Sequence, residues 1–248
     1  MPNIAIGIPA RFASTRFPGK PLAMLCGQPM IAHVVRGAIL ADIGSVIVAT
    51  DDQRIADAAS AAGAGVFISA THHNSGSERL AEAFAGTDVD IVVNVQGDEP
   101  LIEAAAIRAV VRPFAKNAAL SMATLAHPLQ REDDLYDANV VKVVCNAKGN
   151  AMYFSRSAIP FPRQAGAVTL QHVGLYAYRH AFLMQYHGLT DCPAGRSEQL
   201  EQLKVLHHGY TIAVTTGAFH SIGVDTAEDL ARAEAVLKRR DGKHSATP

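Results

Sequence analysis

The 248-residue chain is 49% hydrophobic and 18% charged, with a net charge of −1. That composition supplies a well-filled core for one large or two small domains, but not the basic excess that binding to a nucleic-acid backbone requires. Any anion it binds is expected to be small and held locally.

The first strand pattern covers residues 4–8 and ends at Pro9, which fixes φ and lacks a backbone donor. The loop that follows carries Arg11, Arg16 and Lys20 among the small residues Ala10, Ala13, Ser14 and Gly19. Cations thus gather at the carboxyl end of a strand, where open α/β sheets hold their ligands. This is not a P-loop, because Gly19 and Lys20 are followed by Pro21 and position 14 is Ser, so neither the metal-binding hydroxyl nor the first glycine is present. No Gly-x-Gly-x-x-Gly turn occurs either.

Helical spacing then runs over 30–40, a strand over 46–50, and a helix over 53–62 with Asp51 as its expected N-cap and Gly63 as its C′ residue. A strand at 66–68 precedes a polar loop at 71–79 that feeds a helix through Phe84. The apolar strand 91–95 ends in QGDEP at 96–100, and a helix follows at 103–111. Strands alternating with helices predict an α/β, doubly wound, mostly parallel sheet of Rossmann-like type.

Beyond Leu120 the rhythm changes. Strand patterns at 120–126, 140–145, 151–155 and 173–178 follow one another without full helices between them, and 146–150 reads as a hairpin turn. Residues 120–190 are therefore expected to form a smaller antiparallel arm or lid within a single domain spanning 1–242. A helix at 197–208, a strand at 211–215 and a helix at 226–240 return the chain to α/β, with a flexible tail at 243–248.

No uncharged apolar stretch is long enough to span a bilayer, and neither a basic leader nor a signal-like run opens the chain, so a cytoplasmic protein without membrane association is expected. Cys26, Cys145 and Cys192 are odd in number and widely spread, which suits reduced thiols better than a disulfide framework or a zinc site. His72-His73 and His207-His208 lack the spacing of a transition-metal site.

Two acids stand out as Mg²⁺ ligands. Asp98 follows an apolar strand at the sheet edge that carries the Arg11/Lys20 loop, and Asp225 immediately precedes the last helix. Two carboxylates plus substrate oxygens suffice for magnesium. Each acid also has a purely structural reading: Asp98 as a turn residue beside Pro100, and Asp225 as one half of a capping box with Glu228. Ser75 at the start of SGSER either opens a helix whose N–H groups face an anion or simply caps it.

The segments IPARFASTRFPGKPL (8–22), VATD (48–51), SGSER (75–79), NVQGDEP (94–100), VKVV (141–144), YFSR (153–156), HVGLY (172–176) and VDT (224–226), in this order, resemble the 3-deoxy-manno-octulosonate cytidylyltransferase family, the CMP-Kdo synthetases. Each block alone is weak, but their joint order is specific. The resemblance implies a nucleotidyltransferase fold, a homodimer with the antiparallel arm at its interface, and transfer of CMP from CTP to the anomeric hydroxyl of Kdo for lipopolysaccharide assembly. It also implies roles. Arg11 and Lys20 would grip the triphosphate, Ala10, Ser14, Ser75, Gly76, Arg79 and Gln96 would line the nucleotide, and Asp98 and Asp225 would hold Mg²⁺. Gln96, Arg156, His172, Tyr176, Glu201 and Gln202 would face the sugar acid. The segment PAGRSEQLEQLK (193–204) departs from the family by its shorter lead-in and by Lys204 in place of Arg. That leaves a related sugar acid such as an amino-Kdo as an alternative acceptor, beside a non-catalytic nucleotide-binding protein on the same fold.

Overall fold

A computed structural model describes residues 2–13, 17–70, 73, 75–164, 166, 168–219 and 223–244. Ser14, Arg16, His72 and the last four positions of the expected tail lie outside them. In chain order the elements are β1 (Ile4–Ala10), β2 (Met24–Leu25), β3 (Gln28–Pro29), α1 (Met30–Ile39), β4 (Ser45–Thr50), α2 (Gln53–Ala61), β5 (Gly65–Ile68), α3 (Gly76–Ala83) and β6 (Ile91–Asn94). They continue as α4 (Ala104–Lys116), β7 (Met122–Pro128), β8 (Lys142–Cys145), β9 (Ala151–Ser155), β10 (Leu170–Arg179), α5 (His180–Tyr186), α6 (Pro193–Glu198), α7 (Gln202–His207), β11 (Ile212–Thr216) and α8 (Ala227–His244). The architecture is a mixed, mostly parallel α/β one. Two compact units divide the chain, one of residues 1–89, 94–107 and 220–248, the other of 90–93 and 108–219, so the arm expected at 120–190 falls inside the second.

In the first unit β1 pairs in parallel with β4, and β4 with β5. Ile6, Ile8 and Val48 have no exposed surface, which is why these strands read as continuous apolar runs. The chain beyond β6 keeps to β1, with the Val95 N–H donating to the Gly7 carbonyl at 3.0 Å. A second apolar cluster of Leu25, Met30, Leu101, Val224 and Ala233, with Phe17 and Leu230 packed against it, ties the β2–β3 hairpin, the segment after residue 98 and the start of α8 into one body.

In the second unit β7 pairs antiparallel with β10 and parallel with β11, and β8 and β9 form the expected hairpin around the 146–150 turn. There the Asn146 N–H donates to the Asn150 carbonyl at 2.9 Å. Lys142 has no exposed surface. Its ammonium donates to the carbonyls of Asp137 (2.9 Å), Val140 (2.5 Å) and Arg156 (2.6 Å), so each of its N–H bonds has an acceptor.

Several sequence expectations are corrected. The N-cap of α2 is Asp52, whose carboxylate accepts the Arg54 N–H at 2.9 Å, and not Asp51. The helix expected over 197–208 is broken into α6 and α7 by Gln199, whose φ of 53° is left-handed and ends α6. The helix at 103–111 extends through Pro113 to Lys116, and the last helix runs on to His244, four residues past its expected end and into the expected tail. Helix α5 and the short β2–β3 hairpin went unforeseen. The hairpin turns at Cys26 and Gly27, with φ of 48° and 78°, as a two-residue turn requires. All three cysteines are free, as expected, and burial pushes the Cys145 thiol pKa up.

Candidate active site

The carboxyl end of β1 is crowded by two glycines. A Cβ on Gly97 would sit 2.8 Å from the Pro9 carbonyl oxygen, and one on Gly76 would sit 2.8 Å from Pro9 Cγ. The absent side chains let the 96–98 turn and the N-terminus of α3 reach the strand end, and this delivers Asp98 and Ser75 there.

Asp98 then meets two other segments of the first unit. Its carbonyl accepts the Val224 N–H at 2.9 Å, which docks the start of α8 against the turn. Lys20, in a short 3₁₀ turn at Lys20–Leu22, donates its ammonium to Asp98 Oδ2 at 2.6 Å and to Asp225 Oδ1 at 3.0 Å. The lysine side chain is 11% exposed, against 35% for Asp98 and 49% for Asp225. At the start of α8 the capping contacts run through Thr226 and Asp229. Asp229, not Glu228, accepts the backbone N–H groups of Asp225 and Thr226, and the Thr226 hydroxyl accepts from the Asp229 N–H. Burial disfavours the Asp229 charge, but those donors outweigh it and hold the Asp229 pKa below the usual value.

The nucleotide-side candidates centre on Arg79. This side chain is 3% exposed and pairs through Nη2 with Asp51 Oδ2 at 2.8 Å, while Nη1 is buried with no hydrogen-bond partner among the described residues. Ser75 caps α3 by accepting the Glu78 N–H at 3.2 Å. Gln96 donates to Asn94 Oδ1 at 3.1 Å. Ala10 is the buried last residue of β1, and Arg11 beside it is exposed.

Sequence reasoning missed Asp51 and Phe12 as parts of this end of the molecule. The Phe12 N–H donates to Asp51 Oδ1 at 3.4 Å, its carbonyl accepts the Gly19 N–H at 3.0 Å, and the Arg54 guanidinium lies 3.9 Å over its ring. Asp51 therefore joins the cationic loop to Arg79. Its position directly after β4, matching that of Asp98 after β6, was the available signal.

The sugar-side candidates other than Gln96 belong to the second unit. Arg156 is held by carbonyls, through Nε to Glu198 at 2.6 Å and Nη1 to Ala138 at 2.8 Å, so it satisfies the end of α6. Glu198 returns the contact by accepting from the Arg156 N–H and the Ser155 hydroxyl. His172 and Tyr176 lie on β10 with ring centroids 5.4 Å apart, and Phe154 packs edge-on to His172 at 5.0 Å. Burial pushes the His172 pKa down to about 3. Tyr176 continues through Tyr178 to Tyr186, whose hydroxyl lies 3.5 Å from Glu201 Oε2. Gln202 is buried at the start of α7. Lys204, the departure from the family pattern, rests its ammonium 4.1 Å over the Tyr186 ring.

Among the described residues, no group of three or more His, Cys, Asp and Glu side chains is placed to hold a metal, and no helix is long and apolar enough to cross a membrane.

Known proteins resemble the chain over most of its length. The Cytidylyltransferase family profile matches residues 4–212. A 3-deoxy-manno-octulosonate cytidylyltransferase from Syntrophotalea carbinolica is 47% identical over 247 residues, covering 95% of this chain and 99% of its own. The protein of that name from Anaeromyxobacter sp. strain Fw109-5 is 49% identical over 242 residues, covering 96% and 98%. A solved CMP:2-keto-3-deoxy-manno-octonic acid synthetase complexed with CTP matches with a TM-score of 0.91 at 38% identity, over 96% of this chain and 99% of its own.

Proposed function

The chain belongs to the 3-deoxy-manno-octulosonate cytidylyltransferase family, and on that premise we propose that Lys20, Asp98 and Asp225 form the phosphate end of its active site. The enzyme transfers CMP from CTP to the anomeric hydroxyl of Kdo and releases pyrophosphate. The observation that carries the site assignment is the Lys20 ammonium within 3.0 Å of both carboxylates.

In the reaction the sugar oxygen bonds to the α-phosphorus while the bond from that phosphorus to the departing pyrophosphate breaks, and the hydroxyl proton passes to solvent. Charge grows on phosphate oxygens, so fixed cations aimed at them lower the barrier. Lys20 and Arg11 are assigned to the triphosphate. Arg79, with a buried N–H still to be satisfied, is assigned to the nucleotide together with Ser75 and Gly76. Gln96, Arg156, His172, Tyr176, Glu201 and Gln202 are assigned to the sugar acid. Arg156 enters that role with its guanidinium already oriented by backbone carbonyls, which reduces the ordering cost of binding.

Lys20 offsets only one of the two carboxylate charges. A divalent cation joining this trio would strengthen its attraction for a triphosphate. Two carboxylates completed by substrate oxygens are a donor set that suits Mg²⁺. Asp98 and Asp225 would hold it, and when bound it would neutralise phosphate charge and acidify the attacking hydroxyl. The family's homodimer and a cytoplasmic setting belong to the same proposal, as does supply of the product to lipopolysaccharide assembly.

Pyrophosphate release from CTP and Mg²⁺, measured with Kdo and without sugar, tests the reading. Sugar-dependent release is expected. Absence of release across several 3-deoxy sugar acids would overturn it.

A further inference from the structure

The ladder between β7 and β10 is irregular at one place. Val173 stands opposite Leu125, and the next pair is Tyr176 opposite Thr124, so Gly174 and Leu175 are extra residues on β10. A regular strand would set His172 and Tyr176 about 13 Å apart along its axis. Here the rings lie 5.4 Å apart.

Such an irregularity takes carbonyls out of the ladder, and one hydroxyl meets them. Thr124 Oγ1, on a residue with no exposed surface, lies 3.1 Å from the Val173 carbonyl oxygen and 2.9 Å from that of Leu175. The same oxygen lies 3.0 Å from His172 Nε2. A hydroxyl has one proton to give and two lone pairs to receive. Carbonyls only accept, so the Thr124 proton goes to one of them. The contact with His172 is then satisfied only if Nε2 carries a hydrogen and donates it to Oγ1. The opposite arrangement would spend the hydroxyl proton on Nε2 and give neither carbonyl a hydrogen from Thr124, where the first supplies one of them. Charging the ring instead is opposed by its packing against the Phe154 and Tyr176 rings, which displace water from its faces.

We propose that Thr124 is a positioning residue for sugar recognition: it holds His172 in the neutral Nε2–H form, so that Nδ1 accepts a hydrogen bond from a sugar hydroxyl and the imidazole does not serve as a cation for the sugar carboxylate. The inference rests on the assignment of His172 to the sugar side and adds to it a tautomer, a residue that enforces it and the kind of group it reads.

The test is ¹⁵N NMR of histidine-labelled full-length protein at pH 6–8, with kinetics of Thr124→Val and Thr124→Ser. In the wild type, His172 is expected to show a protonated Nε2 and a bare Nδ1 throughout. Thr124→Val should lose that preference and raise KM for the sugar acid about tenfold, the effect of one hydrogen bond, with KM for CTP unchanged. Thr124→Ser should restore both. A bare Nε2 or an imidazolium in the wild type overturns the tautomer, and that spectrum decides even if Thr124→Val does not fold. An unchanged tautomer in a folded Thr124→Val removes Thr124 from the role. A changed tautomer with an unchanged sugar KM takes His172 off the sugar instead, and so sinks that part of the functional assignment while the tautomer stands.

Discussion

Asp225 Oδ1 lies 3.0 Å from Lys20 Nζ although 205 positions separate the two residues. The contact is possible because α8 is capped by its neighbours. Thr226 and Asp229 exchange hydrogen bonds at the helix start, and Asp229 also accepts the Asp225 N–H, so the Asp225 backbone is anchored while its carboxylate reaches Lys20.

Asp225→Asn should therefore separate function from folding. The amide keeps the shape, the cap of α8 is untouched, and the thermal midpoint should change little. Turnover should fall by about a hundredfold or more, the scale of losing a group that stabilises transition-state charge. Sugar-dependent pyrophosphate release and a thermal melt on the same sample measure both quantities. Activity within a fewfold of wild type would remove Asp225 from the catalytic end.

Arg79 invites a sharper comparison. Its ion pair with Asp51 is nearly dry on the arginine side, at 3% exposure, but Asp51 is 30% exposed and can be rehydrated. Arg79→Met should thus cost about 2 kcal/mol of stability, below the range for a fully buried pair. The variant should also raise KM for CTP and leave KM for the sugar acid in place if the unsatisfied Nη1–H serves the nucleotide, as proposed above. Equal rises in both constants would point to a general distortion and against a nucleotide contact.

The parts of this molecule that follow from local chemistry were legible in the sequence. Continuous apolar runs identified β1, β4 and β6, and Ser75 identified the start of α3, because burial and capping leave residue-level signatures. Lys20, Asp98 and Asp225 could be named as candidates from the ends of their elements, yet nothing in the spacing announces that one ammonium touches both acids. That depends on the Gly97–Pro9 approach and the cluster around Val224, which are contacts between distant segments. The division of 197–208 into two helices was illegible for a similar reason. Its sequence favours helix throughout, and the break at Gln199 coincides with capture of the Glu198 carbonyl by Arg156, 42 positions away.

Lys142 offers a test of the second unit. Burial pushes its pKa down, since desolvation outweighs the attraction of Asp137 and Glu198. The residue nonetheless satisfies three carbonyls, and one of them belongs to Arg156, assigned above to the sugar acid. Lys142→Met fills the space but leaves those acceptors unsatisfied, so a loss of about 3 kcal/mol is expected, or about 1 kcal/mol per carbonyl. Urea denaturation measures it. A variant as stable as wild type would mean that the carbonyls find other donors and that Lys142 is not what holds the segment.

Acid sensitivity should carry the mark of His172. Its folded pKa, pushed down to about 3 by burial, lies below the ordinary value of 6.5. The unfolded chain therefore takes up a proton as pH falls through about 6.5, and the folded protein does not until near 3. More protons on the unfolded state means that stability rises with pH, so this contribution is whole above about 6.5 and is lost progressively toward pH 3, at up to about 1.4 kcal/mol per pH unit. The rings facing the imidazole, Phe154 and Tyr176, carry no charge in this range and leave the slope intact. Urea midpoints at pH 7.5, 5.5 and 4.5 for wild type and His172→Gln isolate the effect, because the carboxylates common to both proteins cancel. The wild type should lose about 1 kcal/mol more than the variant between pH 5.5 and 4.5. Parallel profiles would mean that His172 protonates in the folded protein as readily as in the unfolded chain, and the neutral imidazole would then have to be abandoned.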